Sequence, residues 1–266
     1  MKPKAPGTSV RTLAVGLVLA TIGVTGGASA VADEADARNL FKAMSDYLGA
    51  QTSISFDYDS DLEIVSTYRQ KVALASSGAF SLTRPDKVRA SRRGGFADVE
   101  LVFDGKTLTL LGKDANAYAQ VEIPGTIDQL IDQLRDKYDR PVPGADLLLT
   151  NVHDELMPLV VDVKDLGTGV IGGVECNHLA FRTDEVDWQI WIAAGDQPYP
   201  CRYVITSKQV EGFPEYSVEI SNWKTGDAVA AVDFGFEPPA NAEKMDLDRL
   251  PDVDELPSIY AVGGAK

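Results

Sequence analysis

The stretch DVELVFDGKTLTLLG, residues 98–112, decides the fold because two alternating apolar runs flank a tight turn. Asp104-Gly105 between the runs is a strong signal for a β-hairpin. In a strand, every second side chain points to the same face. The stretch therefore predicts two antiparallel strands, at 98–103 and 107–112, with one shared apolar face, which carries Val99, Leu101, Phe103, Leu108 and Leu110.

Further strands are predicted on both sides of this hairpin. No helical pattern interrupts the run around it, so the sheet is expected to be antiparallel. A second run of strands begins after Gly172-Gly173. Besides the hairpin, the predicted strands cover residues 56–64, 69–83, 87–92, 118–122, 174–182, 187–193, 202–210 and 216–223, with a short last strand at 231–236.

Helical patterns precede the first run of strands and separate the two runs. Residues 33–48 have apolar side chains at helical spacing, and Thr126 with Gln129 forms a capping-box pattern before the helix that starts at Ile127. A second helical pattern covers residues 146–159. We therefore predict an α+β domain, a strongly curved antiparallel sheet with helices over its concave face. Such a sheet either packs solidly or encloses an apolar cavity.

The composition excludes several classes of function. The chain has 266 residues and a formal net charge of -15, which argues against nucleic-acid binding and against docking on anionic lipid through a basic face. Two His and two Cys leave little material for zinc, and we predict no metal and no cofactor. The sequence lacks a Gly-x-Ser-x-Gly motif and a phosphate-binding loop, so we predict that the protein is not an enzyme.

The first thirty residues have the pattern of a secretory signal peptide. Lys2, Lys4 and Arg11 precede an apolar run at 13–24, and Ala28-Ser29-Ala30 is a typical cleavage pattern. The alternative is a transmembrane anchor, but the apolar run is short and rich in Gly and Thr. We predict cleavage after Ala30 and a periplasmic location. Residues 31–240 then form a single domain, and residues 241–266 form an acidic, Pro-rich tail.

Export makes a disulfide between Cys176 and Cys201 the leading prediction, with two buried free thiols as the alternative. The two Cys begin the first and third strands of a predicted meander, which places them about 9–10 Å apart, two strand spacings. A bridge requires the chain to bend inward. The Pro198-Tyr199-Pro200 segment is a candidate for that bend.

Arg89, Arg92 and Arg93 form a small basic cluster in this acidic chain. One interpretation is an anchor for an anionic group. The other is charge balance against nearby acidic side chains, and this second interpretation is the one we favour at the level of sequence.

Three motifs resemble those of the periplasmic lipoprotein carriers of the LolA and LolB class. They are GAFSLTRP at 78–85 with Val88-Arg89 behind it, DGKTL at 104–108 and FGFEPP at 234–239. The mature chain is also similar to a family of periplasmic proteins, domain of unknown function 2092, with GGFADVEL at 94–101 and VDWQIWI at 186–192 among its hallmarks. The resemblance implies a LolA-like fold, an unclosed β-barrel with a helical lid over an apolar cavity.

In the carriers this cavity takes lipoprotein acyl chains, and the Arg before the Pro holds the lid shut. The matching residue is Arg84, which we predict to be a lid latch. The predicted cavity lining consists of strand residues and residues of the first inserted helix: Phe80, Leu82, Val99, Leu101, Phe103, Leu108, Leu110, Ile127, Leu130, Ile131, Leu134, Trp188 and Ile190.

The sequence therefore predicts a non-enzymatic periplasmic carrier that binds a lipid or a lipoprotein acyl chain. The alternative is an envelope sensor or protein-interaction module with the same fold, whose partner is an envelope membrane protein. A hollow between the sheet and the helices distinguishes the carrier from a module with a filled core.

Overall fold

One sheet dominates the structure, a computed structural model that describes residues 34–66, 68–138, 142–251 and 253. The described part of the sheet has twelve strands in the order β12-β6-β5-β4-β3-β2-β1-β11-β10-β9-β8-β7. Their bounds are β1 (Ser53–Val65), β2 (Lys71–Thr83), β3 (Lys87–Gly94), β4 (Asp98–Phe103), β5 (Thr107–Gly112), β6 (Ala117–Glu122), β7 (Asp162–Ile171), β8 (Val174–Arg182), β9 (Val186–Ala193), β10 (Pro200–Ser207), β11 (Glu215–Thr225) and β12 (Glu243–Lys244).

The sheet is curved, antiparallel and unclosed, as the sequence predicted. β7 and β12 are its two edges, and β1 and β11 join the two runs of strands at its centre. Only β12, two residues long, pairs in parallel among the described strands. The concave face carries Ile54, Phe80 and Leu101, because alternate residues of β1, β2 and β4 share it by register.

Helices cover the concave face. They are α1 (Glu34–Ala50), α2 (Ile127–Asp136) and the short α3 (Val152–Leu156). The predicted capping box of α2 is confirmed, because Gln129 N donates to Thr126 Oγ1 (3.3 Å) and Thr126 N donates to Gln129 Oε1 (2.9 Å).

The single helix predicted at 146–159 is wrong. The chain instead forms a 3₁₀ turn at Ala145–Leu148, then α3, then a second 3₁₀ turn at Met157–Leu159. A continuous helix would require the Leu148 carbonyl to accept from an amide four residues ahead. That carbonyl accepts from the Arg84 guanidinium.

Two strand predictions also need correction. β7 was not predicted, because its Gly residues and a register shift between Asp165 and Thr168 hide the alternation. The strand predicted at 231–236 is absent from the described structure. That segment crosses the convex face, where Arg89 donates to the Asp233 carbonyl (2.6 Å) and the Phe236 ring lies 5.3 Å from that of Tyr118.

The chain beyond residue 240 packs against the sheet as far as it is described. β12 pairs with β6, and Leu247 and Leu250 are buried against Ala117 and Ala119. The predicted signal peptide and most of the predicted tail lie outside the described residues.

Candidate binding cavity

A partly open cavity of about 160 Å³ lies between the concave face and a lid. We define the lid as α2 together with residues 142–148. The floor comes from β1 to β4 and from β11, which is the centre and one side of the sheet. Six of the predicted lining residues surround this cavity: Phe80, Leu101, Ile127, Leu130, Ile131 and Leu134.

The other predicted lining residues lie elsewhere on the same face. Leu82, Phe103, Leu108, Trp188 and Ile190 are buried in the main core rather than at the cavity wall. Leu110 packs against the small cluster formed with Leu247 and Leu250. Val99 is buried and pairs with Arg92, just beyond the cavity wall.

Sequence reasoning missed most of the cavity floor. Phe56 and Tyr58 from β1 line it, and so do Tyr216, Val218 and Ile220 from β11. Both strands were predicted, but the alternation of apolar and polar residues was noted only for the first of them; the same alternation in the second is the signal that puts Tyr216, Val218 and Ile220 on one face. The sequence pattern does not show that β1 pairs with β11, and this pairing brings the side chains of the two strands together in the cavity floor.

A column of aromatic rings forms one wall of the cavity. Phe56 stacks on Phe80 (centroids 5.0 Å apart) and on Trp223 (5.6 Å), and Trp223 stacks on Tyr199 (5.0 Å). Trp223 Nε1 donates to the Tyr47 hydroxyl (3.3 Å), which satisfies the indole group. Stacked aromatic pairs of this kind add stability beyond their buried area.

Arg84 ties the lid to the end of β2. Its Nη2 donates to the Leu148 carbonyl (2.9 Å), and its Nη1 lies 3.9 Å from Asp128 Oδ1 at the start of α2. The side chain is only 10% exposed, and burial lowers the pKa of the guanidinium, an effect that Asp128 opposes. Thr150 Oγ1 donates to the other oxygen of Asp128.

This attachment is incomplete. Within the described residues, Arg84 Nε and Asp128 Oδ1 are buried without a hydrogen-bond partner. A buried polar atom that lacks a partner costs about 1–3 kcal/mol. The contact between Arg84 and the lid is therefore made by a buried charge that is only partly satisfied.

The lid also buries one carboxyl group, that of Asp146 in the 3₁₀ turn. Burial raises the pKa of Asp146; Arg135 opposes this shift and Glu155 adds to it. Tyr203 lies beneath, and burial raises the pKa of its hydroxyl, with Asp146 adding to the effect. The lid therefore holds a carboxyl group whose pKa lies above its ordinary value.

Cys176 and Cys201 meet at the end of the sheet where β8 and β10 begin. Their Sγ atoms are 2.8 Å apart, and the thiols are not joined in this structure. The register of β10 against β9 shifts between Pro200 and Arg202, which is the inward bend that contact between the two thiols requires. Burial raises the pKa of both thiols. The disulfide stays a prediction.

The described residues lack a metal-binding cluster and a helix suited to span a membrane. They contain no group of three or more His, Cys, Asp or Glu side chains placed to hold a metal ion. Among the helices described, none has the length and apolar character needed to cross a membrane.

A family model described as "Predicted periplasmic protein (DUF2092)" matches residues 37–248. No curated protein matches the chain. Among solved structures, the chain is similar to lipoprotein LppX from Mycobacterium tuberculosis, with 13% identity over 76% of this chain and 100% of that one (TM-score 0.40).

Two further structures are similar to the same extent. For LprF from Mycobacterium bovis the identity is 14% over 76% of this chain and 98% of that one (TM-score 0.42). For an uncharacterized conserved protein from Thermus thermophilus it is 11% over 79% of this chain and 99% of that one (TM-score 0.46).

Proposed function

We propose that this chain, which belongs to the DUF2092 family of predicted periplasmic proteins, is a non-enzymatic carrier of a lipid or lipoprotein acyl chain. The observation that carries the proposal is the chemistry of the cavity. Its lining is aliphatic and aromatic throughout, and none of the described lining residues is charged. We further propose export through the signal peptide, with cleavage after Ala30.

An apolar cavity of this kind recognises hydrocarbon. Burying one methylene group is favourable by about 0.8 kcal/mol, before the cost of ordering the ligand. Hydrogen-bonding groups at the wall are already engaged, since the Tyr58 hydroxyl donates to the Ser91 carbonyl (3.0 Å) and Trp223 Nε1 to Tyr47. The wall therefore offers little to a polar ligand.

The size of the cavity implies that the lid moves when a ligand enters. An apolar cavity of about 150 Å³ takes a guest the size of benzene. At about 160 Å³, the cavity beneath the lid is too small to enclose a long acyl chain. We propose that α2 and residues 142–148 shift outward on loading. This movement breaks their contacts with Arg84, which is the latch of the lid.

Native mass spectrometry tests the carrier function directly. Protein purified from the periplasm without detergent is expected to carry lipid-sized adducts that disappear after solvent extraction. A single bare mass, together with failure to take up an added acyl probe, would contradict the carrier function.

Substitution of the latch tests the role of Arg84. Arg84→Leu removes a charged hydrogen bond of about 1.5–3 kcal/mol, so a bound acyl probe is expected to dissociate about tenfold faster or more. The matched control is Arg93→Leu, since that side chain is 83% exposed and far from the lid. Equal dissociation rates for Arg84→Leu and the parent, measured by stopped-flow fluorescence, would rule out the latch.

One observation favours the alternative, an envelope sensor or protein-interaction module. Tyr68 (92% exposed) and Phe213 (59% exposed) lie at the tips of two neighbouring hairpins, which Arg69 and Glu211 join by an ion pair (3.1 Å). Exposed aromatic side chains of this size are typical of binding surfaces. Capture of an envelope membrane protein that depends on Tyr68, by a chain that binds no acyl probe, would support this module over the carrier.

A further inference from the structure

β7 forms one edge of the sheet, and within the described residues it pairs on one side only, with β8. Large exposed apolar side chains lie in β7 or just before it, and they are 49–69% exposed: Leu159, Val161, Leu166 and Val170. An edge strand offers unpaired backbone N–H and C=O groups to another strand, so natural sheets usually protect their edges. Apolar side chains beside an unprotected edge therefore indicate a surface for strand pairing.

The two edges of the sheet are protected to different degrees. At the opposite edge β12 has only two residues, and the chain that follows it covers β6 with Leu247 and Leu250. In β7 the register shifts between Asp165 and Thr168, and a bulge of this kind turns a strand away from an incoming partner. The bulge protects the second half of β7 and leaves residues 161–165 in regular pairing with β8 and open on their outer side.

The charges of residues 161–165 are self-complementary. Asp162 and Lys164 share the convex face, because Val163 between them is buried in the core on the concave face. When a second copy of β7 pairs antiparallel with its two-fold axis at Val163, Asp162 of each copy lies opposite Lys164 of the other. A shift of the axis by one residue sets Asp162 opposite Asp162, or Lys164 opposite Lys164, which is destabilising.

This register brings opposite charges closer than β7 alone does. Cβ atoms directly opposite each other on antiparallel strands are about 4.5–5.5 Å apart, whereas alternate residues of one strand are about 6.8 Å apart. Lys164 Nζ already reaches Asp162 Oδ2 of its own strand (2.7 Å), and in the pair it stands between two carboxylates. The same register brings the exposed Leu166 of each copy to residues 159–161 of the other.

We propose that β7 pairs antiparallel with β7 of a second copy of this chain, with the two-fold axis at Val163. The pairing joins two sheets edge to edge and leaves both cavities accessible, since none of the described residues that line the cavity belongs to β7. The inference is independent of the proposed carrier function. About five residues of each strand take part, so the dimer belongs with the small, transient interfaces.

Exchange of the charges tests the pairing on the full exported chain. Sedimentation equilibrium at physiological ionic strength, where the repulsion between two acidic chains is screened, is expected to show a reversible dimer. Asp162→Lys and Lys164→Glu are each expected to weaken it about tenfold, since like charges then lie opposite each other twice. The double variant restores opposite charges and is expected to regain the dimer. The control is Lys42→Glu, which breaks an exposed ion pair with Asp46 on α1 and is expected to leave the dimer unchanged.

A cross-link tests the register. Chains with Asp162→Cys and chains with Lys164→Cys, both in the Cys176→Ser/Cys201→Ser background, are mixed and oxidised with oxidised glutathione. Covalent dimers are expected in the mixture and not in either variant alone, because only positions directly opposite each other lie within the reach of a disulfide.

The two single charge variants change the net charge in opposite directions, so a loss of the dimer in both is not an effect of net charge. A protein that stays monomeric at every concentration would overturn the proposal. So would a dimer that folded Asp162→Lys and Lys164→Glu proteins keep at full strength, or one that the double variant does not regain. Cross-links that form as readily in either Cys variant alone as in the mixture would overturn the register at Val163.

Discussion

The concave face has a filled half and a hollow half, and both are covered by helices. In the filled half α1 packs on β7, β8 and β9, with the Phe41 ring 5.3 Å from the rings of Phe181 and Trp188. In the hollow half the lid covers β1 to β4 and β11 and leaves about 160 Å³. Composition does not explain the difference, because both halves are apolar.

The contacts beneath the two covers differ. Phe41 of α1 meets Phe181 and Trp188, which stack on each other at 3.9 Å and fill the space beneath the helix. In the hollow half the large rings of the floor contact each other within the sheet, as Phe56 and Phe80 do (centroids 5.0 Å apart), and the space between them and the aliphatic side chains of α2 stays open.

The largest expected effect is a difference between the two halves in the free energy of unfolding that a Leu→Ala substitution removes. Leu179→Ala in the filled half is expected to lower the free energy of unfolding by about 3–5 kcal/mol, because rigid neighbours leave a new cavity. Leu134→Ala at the cavity wall is expected to cost about 2–3 kcal/mol, because the lid is able to settle into the vacated space. Urea denaturation measures both.

The two substitutions are matched, since each removes the same atoms from a buried Leu. The denaturant slope should stay that of the parent in both variants, which shows that the unfolded states are comparable. Equal losses in the two variants would mean that the hollow half is packed as firmly as the filled one.

A second effect, of similar size, concerns the thiols beneath the filled half. Oxidation by oxidised glutathione, with release of two equivalents of glutathione, is expected to join Cys176 to Cys201. The bridge closes a loop between residues 25 apart, which corresponds to about 3.5 kcal/mol of stabilisation over the reduced protein. Thiol titration and urea denaturation check both steps.

The control for this bridge is the uptake of an acyl probe by the cavity of the hollow half. Uptake of an acyl probe should be equal in the oxidised protein and in the double variant Cys176→Ser/Cys201→Ser, since neither thiol lines the cavity. A bridge that changes uptake but not unfolding would place the thiols in the function of the hollow half instead.

Much of the fold was predictable because local chemistry specifies it. The bounds predicted for β4 and β5 are those observed, since Asp104-Gly105 fixes the turn and the alternation fixes the faces. The capping box similarly fixed the start of α2. β7 was not predicted because Gly167 and Gly169 interrupt its alternating pattern. Residues 231–236 were predicted as a strand because they alternate, but this segment crosses the convex face instead of pairing in the sheet.

The cavity was only half predictable for a different reason. Alternation says which side chains share a face, but it does not say which strand lies next to which, or whether the space above is filled. Phe80 and Leu101 were found because β2 and β4 belong to the same run of strands along the chain, whereas Val218 reaches the cavity through the pairing of β11 with β1, which are far apart in sequence.

The smallest expected effect tests whether the lid of the hollow half responds to pH. Burial raises the pKa of Asp146 above its unfolded value, so the protonated carboxyl stabilises the closed lid. That stability is present below the unfolded pKa of about 3.9 and is lost as pH rises through the folded pKa. Arg135 limits the loss, while Glu155 increases it.

Asp146→Asn removes this dependence, because an amide is neutral at every pH. The variant is therefore expected to gain stability relative to the parent as pH rises from about 3.9 towards neutrality, and then to keep a constant advantage. Thermal unfolding across that range measures the difference, with Asp196→Asn on an exposed loop as the control. A difference that is the same at every pH would mean that the Asp146 carboxyl stays hydrated, and that the lid lies more loosely on the hollow half than α1 does on the filled one.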